Sequence, residues 1–341
     1  MSLYRTELRR LGKRRFARWA TVLGLLLLGA VLVGVFVTNQ KIGPEQQAAA
    51  QRQAEQSYQE QVRWADQERK ACEQAKASGQ DQQQEGRFPP DCEMITPPPP
   101  ESIQADWFLP STFNFRASFE EMIVTFTAIL ALLGFVVGAS FVGAEWSSGG
   151  MMNLLLWRPQ RLTVLLTKLA ALLTGLVAVT LATAVVWTAG FWAVGTLRGT
   201  TAKMTAGVWQ SFALTGLRGL VLIVFAATVG FALASLGRHT ALALGGAIGA
   251  AVVGQFGLGM VLSMAGARFV EVWLLPTYAL AWMTKKVTLE DWNSCNSSSY
   301  YGECNPETFD LTWQHASILF SVVLVLALGS ALVTMRRRDV A

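Results

Sequence analysis

Six blocks of apolar sequence, each long enough to cross a bilayer, constrain the fold of this chain more than any other feature. Each block has about 18 or more residues with scarcely any charge, and an α-helix needs about 20 residues to cross about 30 Å of hydrocarbon. A β-barrel would instead show shorter runs that alternate apolar and polar residues, and these blocks do not alternate. The composition agrees, because 52% of the 341 residues are hydrophobic and 15% are charged. We therefore expect an all-α polytopic membrane protein with six transmembrane helices.

The segments between the blocks divide between the two faces of the membrane. The N-terminal segment precedes the first span and mixes apolar residues with cations, which is typical of an interfacial helix, although a disordered positive tail is the alternative. The expected order is an interfacial helix 1–20, TM1 21–39, an extracellular domain 40–118, TM2 119–142, a cytoplasmic loop 143–163, TM3 164–195, TM4 209–236, TM5 240–264, an extracellular loop 265–313, TM6 314–335 and a cytoplasmic tail 336–341.

Both ends of the chain carry clusters of positive charge, which orient the spans. Seven cations and the single acid Glu7 precede the first span, and Arg336 to Arg338 follow the last. By the positive-inside rule, both termini are predicted to be cytoplasmic. The first block lacks the small-residue cleavage site of a signal peptide, so we expect it to be a retained span.

The two long outer segments contain all four cysteines under this topology. Residues 44–86 are rich in Gln, Ala and Glu and predict a helix or helical hairpin in water, within a small helical extracellular domain. Disulfides persist outside the cell, so we expect the disulfides Cys72–Cys92 and Cys295–Cys304, although four cysteines allow three pairings. In the second segment, Phe269 to Met283 is apolar, aromatic and too short to span, which favours a re-entrant or interfacial piece.

The loop between the second and third spans contains an apolar stretch longer than a connection needs. Gly149 and Gly150 allow a sharp turn, Met152 to Trp157 are mostly apolar, and Pro159 ends the stretch. An exposed apolar helix at the water boundary commonly marks an interaction site, the alternative being that it lies on lipid.

This loop resembles the pattern of ABC-2 type transporter permeases, bacterial ABC exporter membrane subunits. The shared features are the acid Glu145, the Ser-Gly turn, the Leu-rich helical turn, and then Pro, Arg and Lys168. In that family the segment is the coupling helix, which docks into a cytoplasmic ATPase. The resemblance thus implies ATPase-coupling roles for Glu145, Met152, Leu154, Leu155, Leu156, Trp157, Arg158 and Arg161.

The resemblance also implies the partners and the location. The chain has no G-x-x-x-x-G-K-[ST] phosphate loop, so ATP and Mg are expected in a separate ATPase subunit, present in two copies. No cofactor, metal or nucleic acid is expected for this chain, which would be a permease and not an enzyme. A second permease subunit, identical or related, and membrane lipid complete the expected partners, in a bacterial cell (inner) membrane.

Few polar residues lie within the spans, and these are the candidates for a translocation path. Arg218 is the clear cation inside a span, and Glu120 and Glu121 reach it if their helices pack together. A structural ion pair or snorkelling toward the outer interface is the alternative. Gln255 favours a helix-to-helix hydrogen bond, and the glycines of the fifth span predict close packing, either at the centre of the bundle or against a second permease.

Two other function classes fit the sequence less well than an exporter permease. A non-transporting scaffold or sensor with an extracellular ligand-binding domain would share the spans and the outer domain. An intramembrane enzyme would need paired carboxylates, His clusters or metal ligands, and the spans lack them. Few internal charges favour lipid-like or amphipathic cargo.

Overall fold

The computed structural model describes residues 3–78, 89, 91–157, 160–291 and 306–337, and these ranges are almost entirely helical. Six helical stretches in them are long and apolar enough to cross a membrane, which confirms the predicted all-α polytopic fold. The helices are α1 (Leu3–Lys13), α2 (Arg15–Thr38), α3 (Pro44–Ala77), α4 (Phe115–Ser147), α5 (Gly150–Trp157), α6 (Arg161–Arg198), α7 (Ala206–Gly237), α8 (Thr240–Ala251), α9 (Leu258–Met264), α10 (Leu275–Thr284) and α11 (Trp313–Arg337).

The described ranges also contain four short strands: β1 (Phe113–Asn114), β2 (Gly199–Thr200), β3 (Lys286–Asp291) and β4 (Glu307–Thr312). The spans α2, α4, α6, α7 and α11 extend beyond the apolar blocks because the helical hydrogen-bond ladder continues into the polar boundary. In α2 the helix begins at Arg15, within the cationic segment.

The chain forms two compact units, and the larger comprises Met1–Val33, Phe115–Trp192 and Ala202–Ala341. Helices α4 and α7 form its most extensive helix pair. Gly138 and Gly230 lie where the two backbones meet, because a Cβ at Gly138 would collide with the carbonyl oxygen of Ala227 and one at Gly230 with that of Phe135. Small residues at such crossings let helices approach closely within a membrane.

Helices α8 and α9 do not lie at the centre of this unit, which excludes one of the two placements predicted from their glycines. A π-helical turn, Val252–Gly257, joins them. Nothing lies within 4 Å of a Cβ built at Gly245, Gly246, Gly249 or Gly254. Gln255 makes the predicted helix-to-helix bond, since its Oε1 accepts a hydrogen bond of 2.8 Å from the backbone N of Leu275 in α10.

Strands β3 and β4, which the sequence analysis did not predict, form an antiparallel pair. Lys286 Nζ lies 2.8 Å from Asp310 Oδ2, and Thr288 donates a hydrogen bond to the same carboxylate. These two hydrogen bonds, the one from Lys286 foremost, lower the pKa of Asp310 below its usual value. Cys295 and Cys304 lie outside the described residues, in the loop that the two strands flank.

The smaller unit comprises Gly34–Asn114 and Ala193–Thr201. Its 34-residue helix α3 is a single helix, and β1 pairs with β2 in parallel. The disulfide Cys72–Cys92 is present, as predicted, with the two Cα atoms 5.8 Å apart and both residues buried. The disulfide therefore ties the end of α3 to the segment that follows it.

Candidate functional site

Seven helices of the larger unit, α1, α4, α5, α6, α7, α8 and α11, meet in one apolar cluster at the end that carries both described termini. Phe141 of α4, Met151 of α5, Leu165 of α6 and Met335 of α11 are buried together there, and Leu11 of α1 packs against them. The first helix and the last span therefore reach the same end of the bundle. This geometry agrees with an even number of crossings.

A partly buried ion-pair network, hereafter the charge cluster, crosses this region and consists of Glu7, Arg10, Arg14, Glu145 and Lys168. Lys168 Nζ lies 2.7 Å from Glu7 Oε2 and 2.5 Å from Glu145 Oε2, and the side chains of Lys168 and Glu7 have no solvent exposure. Arg10 pairs with the other oxygen of Glu7 at 3.1 Å. Because the two buried charges, Glu7 and Lys168, each have a partner of opposite sign, their desolvation is offset within the cluster.

Arg14 extends the cluster to the backbone of α4. Its guanidinium pairs with Glu145 and donates a hydrogen bond of 2.8 Å to the carbonyl oxygen of Phe141. Its Cζ also lies 4.8 Å from the centre of the Phe141 ring, within the range of a cation–π interaction. These ion pairs thus hold the N-terminal segment of α1 and α2 against α4 and α6, the two helices that precede and follow α5 in the sequence.

Sequence reasoning identified Glu145 and Lys168 but missed Glu7 and Arg14 as parts of this site. Glu145 has 12% of its side chain exposed, and its two carboxylate oxygens form ion pairs with Arg14 and Lys168. These contacts join the end of α4, which precedes α5, to α6 and to the junction between α1 and α2. One signal was available for Glu7, which is the single acid in a strongly cationic segment.

Helix α5 places its apolar residues on two different sides. Gly149 has a φ of +74°, a conformation that favours glycine, and turns the chain into α5. Met151 and Leu155 are then buried in the apolar cluster, whereas Leu156 is 77% exposed. Met152 and Leu154 are half-buried. The predicted docking residues thus divide into some that anchor α5 and one, Leu156, that is presented outward.

Three of the predicted coupling residues sit at the edge of what the structure describes. Trp157 is the last residue of α5, and Arg161 is the first residue of α6. Arg158 lies outside the described residues, so its predicted role stays a prediction.

The predicted path residues lie on α4 and α7, at the other end of the bundle from the charge cluster. Arg218 is half-buried, and its Nη1 donates a hydrogen bond of 3.5 Å to the carbonyl oxygen of Met283, at the end of α10. Trp282 Nε1 in turn donates to the carbonyl oxygen of Arg218 at 3.0 Å. Helix α10 thus occupies the surface of α7 beside Arg218.

The two glutamates near this region do not form an ion pair with Arg218 in the part of the chain that the structure describes. Glu120 Oε1 instead accepts a hydrogen bond of 3.4 Å from Thr215 Oγ1 of α7. Glu121 is exposed. The polar groups on α4 and α7 are therefore close in the fold, but α10 and Thr215 supply their hydrogen-bond partners.

Comparison with known proteins agrees with this architecture. Residues 1–339 match the family model described as ABC-2 family transporter protein. Curated proteins and solved structures gave no match. The match covers all six candidate spans and reaches into both units. The chain therefore belongs to the ABC-2 family and is a transporter membrane subunit, a transport component that is not itself catalytic.

Proposed function

We propose that the chain is the membrane-spanning permease subunit of an ATP-binding cassette exporter and that it couples to a separate cytoplasmic ATPase through α5. The observation that supports this proposal is the outward position of Leu156 on a short helix whose Met151 and Leu155 are buried. An apolar side chain presented on a fixed support is typical of an interaction site.

The charge cluster would transmit a movement of α5, once the ATPase is docked on it, to the rest of the bundle. Force on α5 passes to the end of α4 through the short turn at Gly149, and from Glu145 to α6 and α1 through Lys168 and Arg14. Because these ion pairs are buried, water screens them little, and they keep the helix ends together when α5 is displaced. Helices α1, α2, α4 and α6 then move as one body.

The partners follow from the same proposal. Two copies of an ATPase subunit would bind ATP and Mg, and two permease subunits would together form the path. The exposed glycine face of α8 and α9 supports the second permease, since small residues let helices from two subunits pack closely. We place the protein in the bacterial inner membrane with both termini in the cytoplasm, because the cationic ends lie on the side of α5.

The translocation path is proposed along α4 and α7, where Arg218, Glu120 and Glu121 are the polar groups. A cation within a span is expected either to line a translocation path or to form a structural hydrogen bond or ion pair. The bond of Arg218 to the end of α10 links this path to the segment that was predicted to be re-entrant.

Replacing Leu156 with Asp tests the coupling role. A carboxylate placed in an apolar docking site loses its hydration without gaining a partner, which opposes binding by several kcal/mol. We expect the amount of ATPase retained on affinity-purified permease to fall by about tenfold or more. The level of Leu156→Asp permease in the membrane should stay normal, because Leu156 has few contacts within the chain.

Leu156→Met is the matched control, since it keeps an apolar side chain of similar size and should retain the ATPase. Leu155→Asp is unsuitable as a probe because Leu155 lies in the apolar cluster and its substitution disturbs the fold. Normal ATPase retention by Leu156→Asp would contradict the proposed role of α5.

A further inference from the structure

An apolar crevice within the larger unit lies between α1 and α2 on one side and α4 and α6 on the other. Its volume is about 500 Å³, and its lining is aliphatic apart from a few threonines and one charged residue, Arg18. Ligand sites in proteins have volumes of about 300–1,000 Å³. The crevice is therefore large enough for a small apolar ligand or a single hydrocarbon chain.

Close helix contacts define the crevice on both sides. Helix α2 meets α4 at Gly24, where an added Cβ would lie 2.6 Å from Leu133 Cδ1. Helix α1 meets α6 at Gly175, where an added Cβ would lie 2.7 Å from Leu11 Cδ2. The helices touch at these glycines, so the crevice is bounded on these two sides by close helix contacts.

The length of the crevice matches one leaflet of a bilayer. Its lining on α2 extends from Ala17 to Leu28, and ten helical steps separate Arg18 from Leu28. These ten helical steps correspond to about 15 Å at 1.5 Å per residue. Half of a hydrocarbon core of about 30 Å has the same depth. A chain that enters beside Arg18 therefore reaches the middle of the membrane at Leu28.

The charge and the polar groups of the crevice specify the head of such a ligand. Arg18 is exposed, and within the described ranges its guanidinium makes a hydrogen bond of 3.4 Å to the carbonyl oxygen of Lys13 and no ion pair with a carboxylate. Thr180, which also lines the crevice, is only 4% exposed, and its Oγ1 has no hydrogen-bond partner in the described structure. A ligand with a phosphate beside Arg18 and ester oxygens beside Thr180 offers hydrogen-bond acceptors to both residues.

We propose that this crevice binds an anionic phospholipid from the leaflet on the side of the termini, with one acyl chain between α2, α4 and α6 and the phosphate at Arg18. An apolar cavity of this size that stayed empty would forfeit dispersion contacts along all of its walls. Cationic side chains near the headgroups favour anionic over zwitterionic lipid. This site is independent of the coupling role of α5.

The test uses the purified full chain in phosphatidylcholine vesicles that contain a small share of phosphatidylglycerol with a diazirine midway along one acyl chain. After photolysis, labelled peptides are mapped by mass spectrometry. We expect label on the crevice-lining parts of α2 and α6. Arg18→Gln should reduce this label about tenfold, in keeping with the loss of a charged hydrogen bond. Arg15→Gln, which removes the same charge from the same helical turn outside the crevice lining, should leave most of it.

A second pair of variants tests the crevice itself. Val179 lines the crevice, whereas Val185 is an exposed residue of the same helix outside it. Val179→Trp should fill the space and abolish the label, and Val185→Trp should leave it unchanged. Label spread evenly over the lipid-facing helices, or unchanged by Val179→Trp and Arg18→Gln, would overturn the site. Equal labelling by a phosphatidylcholine carrying the same diazirine would overturn its preference for anionic lipid.

Discussion

Lys168 is a cation without access to solvent, and two carboxylates neutralise it within the protein. Its Nζ lies 2.7 Å from Glu7 and 2.5 Å from Glu145. Removing one partner from a buried ion pair leaves the other charge in a medium of low dielectric, at a cost of about 3–5 kcal/mol. The stability of this end of the bundle therefore depends on Lys168 more than on any exposed cation of the chain.

Lys168→Met tests this dependence. It leaves Glu7 and Glu145 without the cation between them, so we expect the free energy of unfolding to fall by about 3–5 kcal/mol. The measurement is thermal unfolding of the detergent-solubilised protein, followed by intrinsic fluorescence. Lys13→Met is the matched control, because Lys13 is exposed and surface substitutions usually change stability by less than about 0.5 kcal/mol.

A double variant shows whether the loss arises from unpaired charge. Glu7→Gln combined with Lys168→Met removes one buried charge of each sign and leaves Glu145 paired with Arg14. The double variant should be more stable than Lys168→Met alone. Equal stability of Lys168→Met and the wild-type protein would contradict the buried pairing.

At the scale of single residues, sequence reasoning found the charges but not their partners. Glu145 and Lys168 were identified by the pattern of the loop, yet their pairing with α1 could not be read from the sequence. Glu7 and Lys168 are 161 positions apart, and periodicity shows which face of a helix is polar but not which helix lies opposite. Arg218 illustrates the same limit, because its partner is a backbone carbonyl that any sequence would provide.

Among the elements, α5 combines an anchor and an exposed surface within eight residues. Met151 and Leu155 face the apolar cluster, whereas Leu156 faces outward. The sequence predicted the helix and its apolar character. It did not separate the anchoring from the exposed leucines, because both types are apolar and only the packing of α4, α6 and α11 distinguishes them.

The disulfide of the smaller unit leads to a prediction about both cysteine pairs. Cys72 and Cys92 are joined, and a loop of this length closed by a disulfide stabilises a fold by about 3 kcal/mol. Peptide mapping without reductant should recover Cys72–Cys92, and separately Cys295–Cys304, as linked peptides. Free Cys295 and Cys304 in protein from oxidising conditions would contradict the second pair and weaken the predicted orientation.

Cys72→Ser and Cys92→Ser provide the energetic control for the first pair. Each variant should make α3 more susceptible to limited proteolysis while leaving the spans inserted. The strand pair β3 and β4 was missed because its two strands are short and 15 residues separate them in the sequence. A hairpin with a two-residue turn would have given a clear sequence signal.

Across the whole molecule, the sequence predicted the number and type of the six spans, because hydrocarbon imposes a length and a composition on each of them. It did not predict which helices pack together. The glycines of α8 and α9 indicated close packing, yet the closest helix pair is α4 and α7, at Gly138 and Gly230. A small-residue face looks the same in sequence whether its partner is within the chain or in a second subunit.

The central claim is that α5 is the contact between this transporter subunit and an ATPase, and a photocrosslink from position 156 tests it most directly. A benzoylphenylalanine placed at Leu156 in cells that express the native partners should, on irradiation, attach the permease to a protein that contains a nucleotide-binding phosphate loop. The same group at the exposed residue Leu132 of α4 should not make this product. Crosslinks from position 156 to lipid or to other proteins, with no such ATPase among the products, would contradict the account.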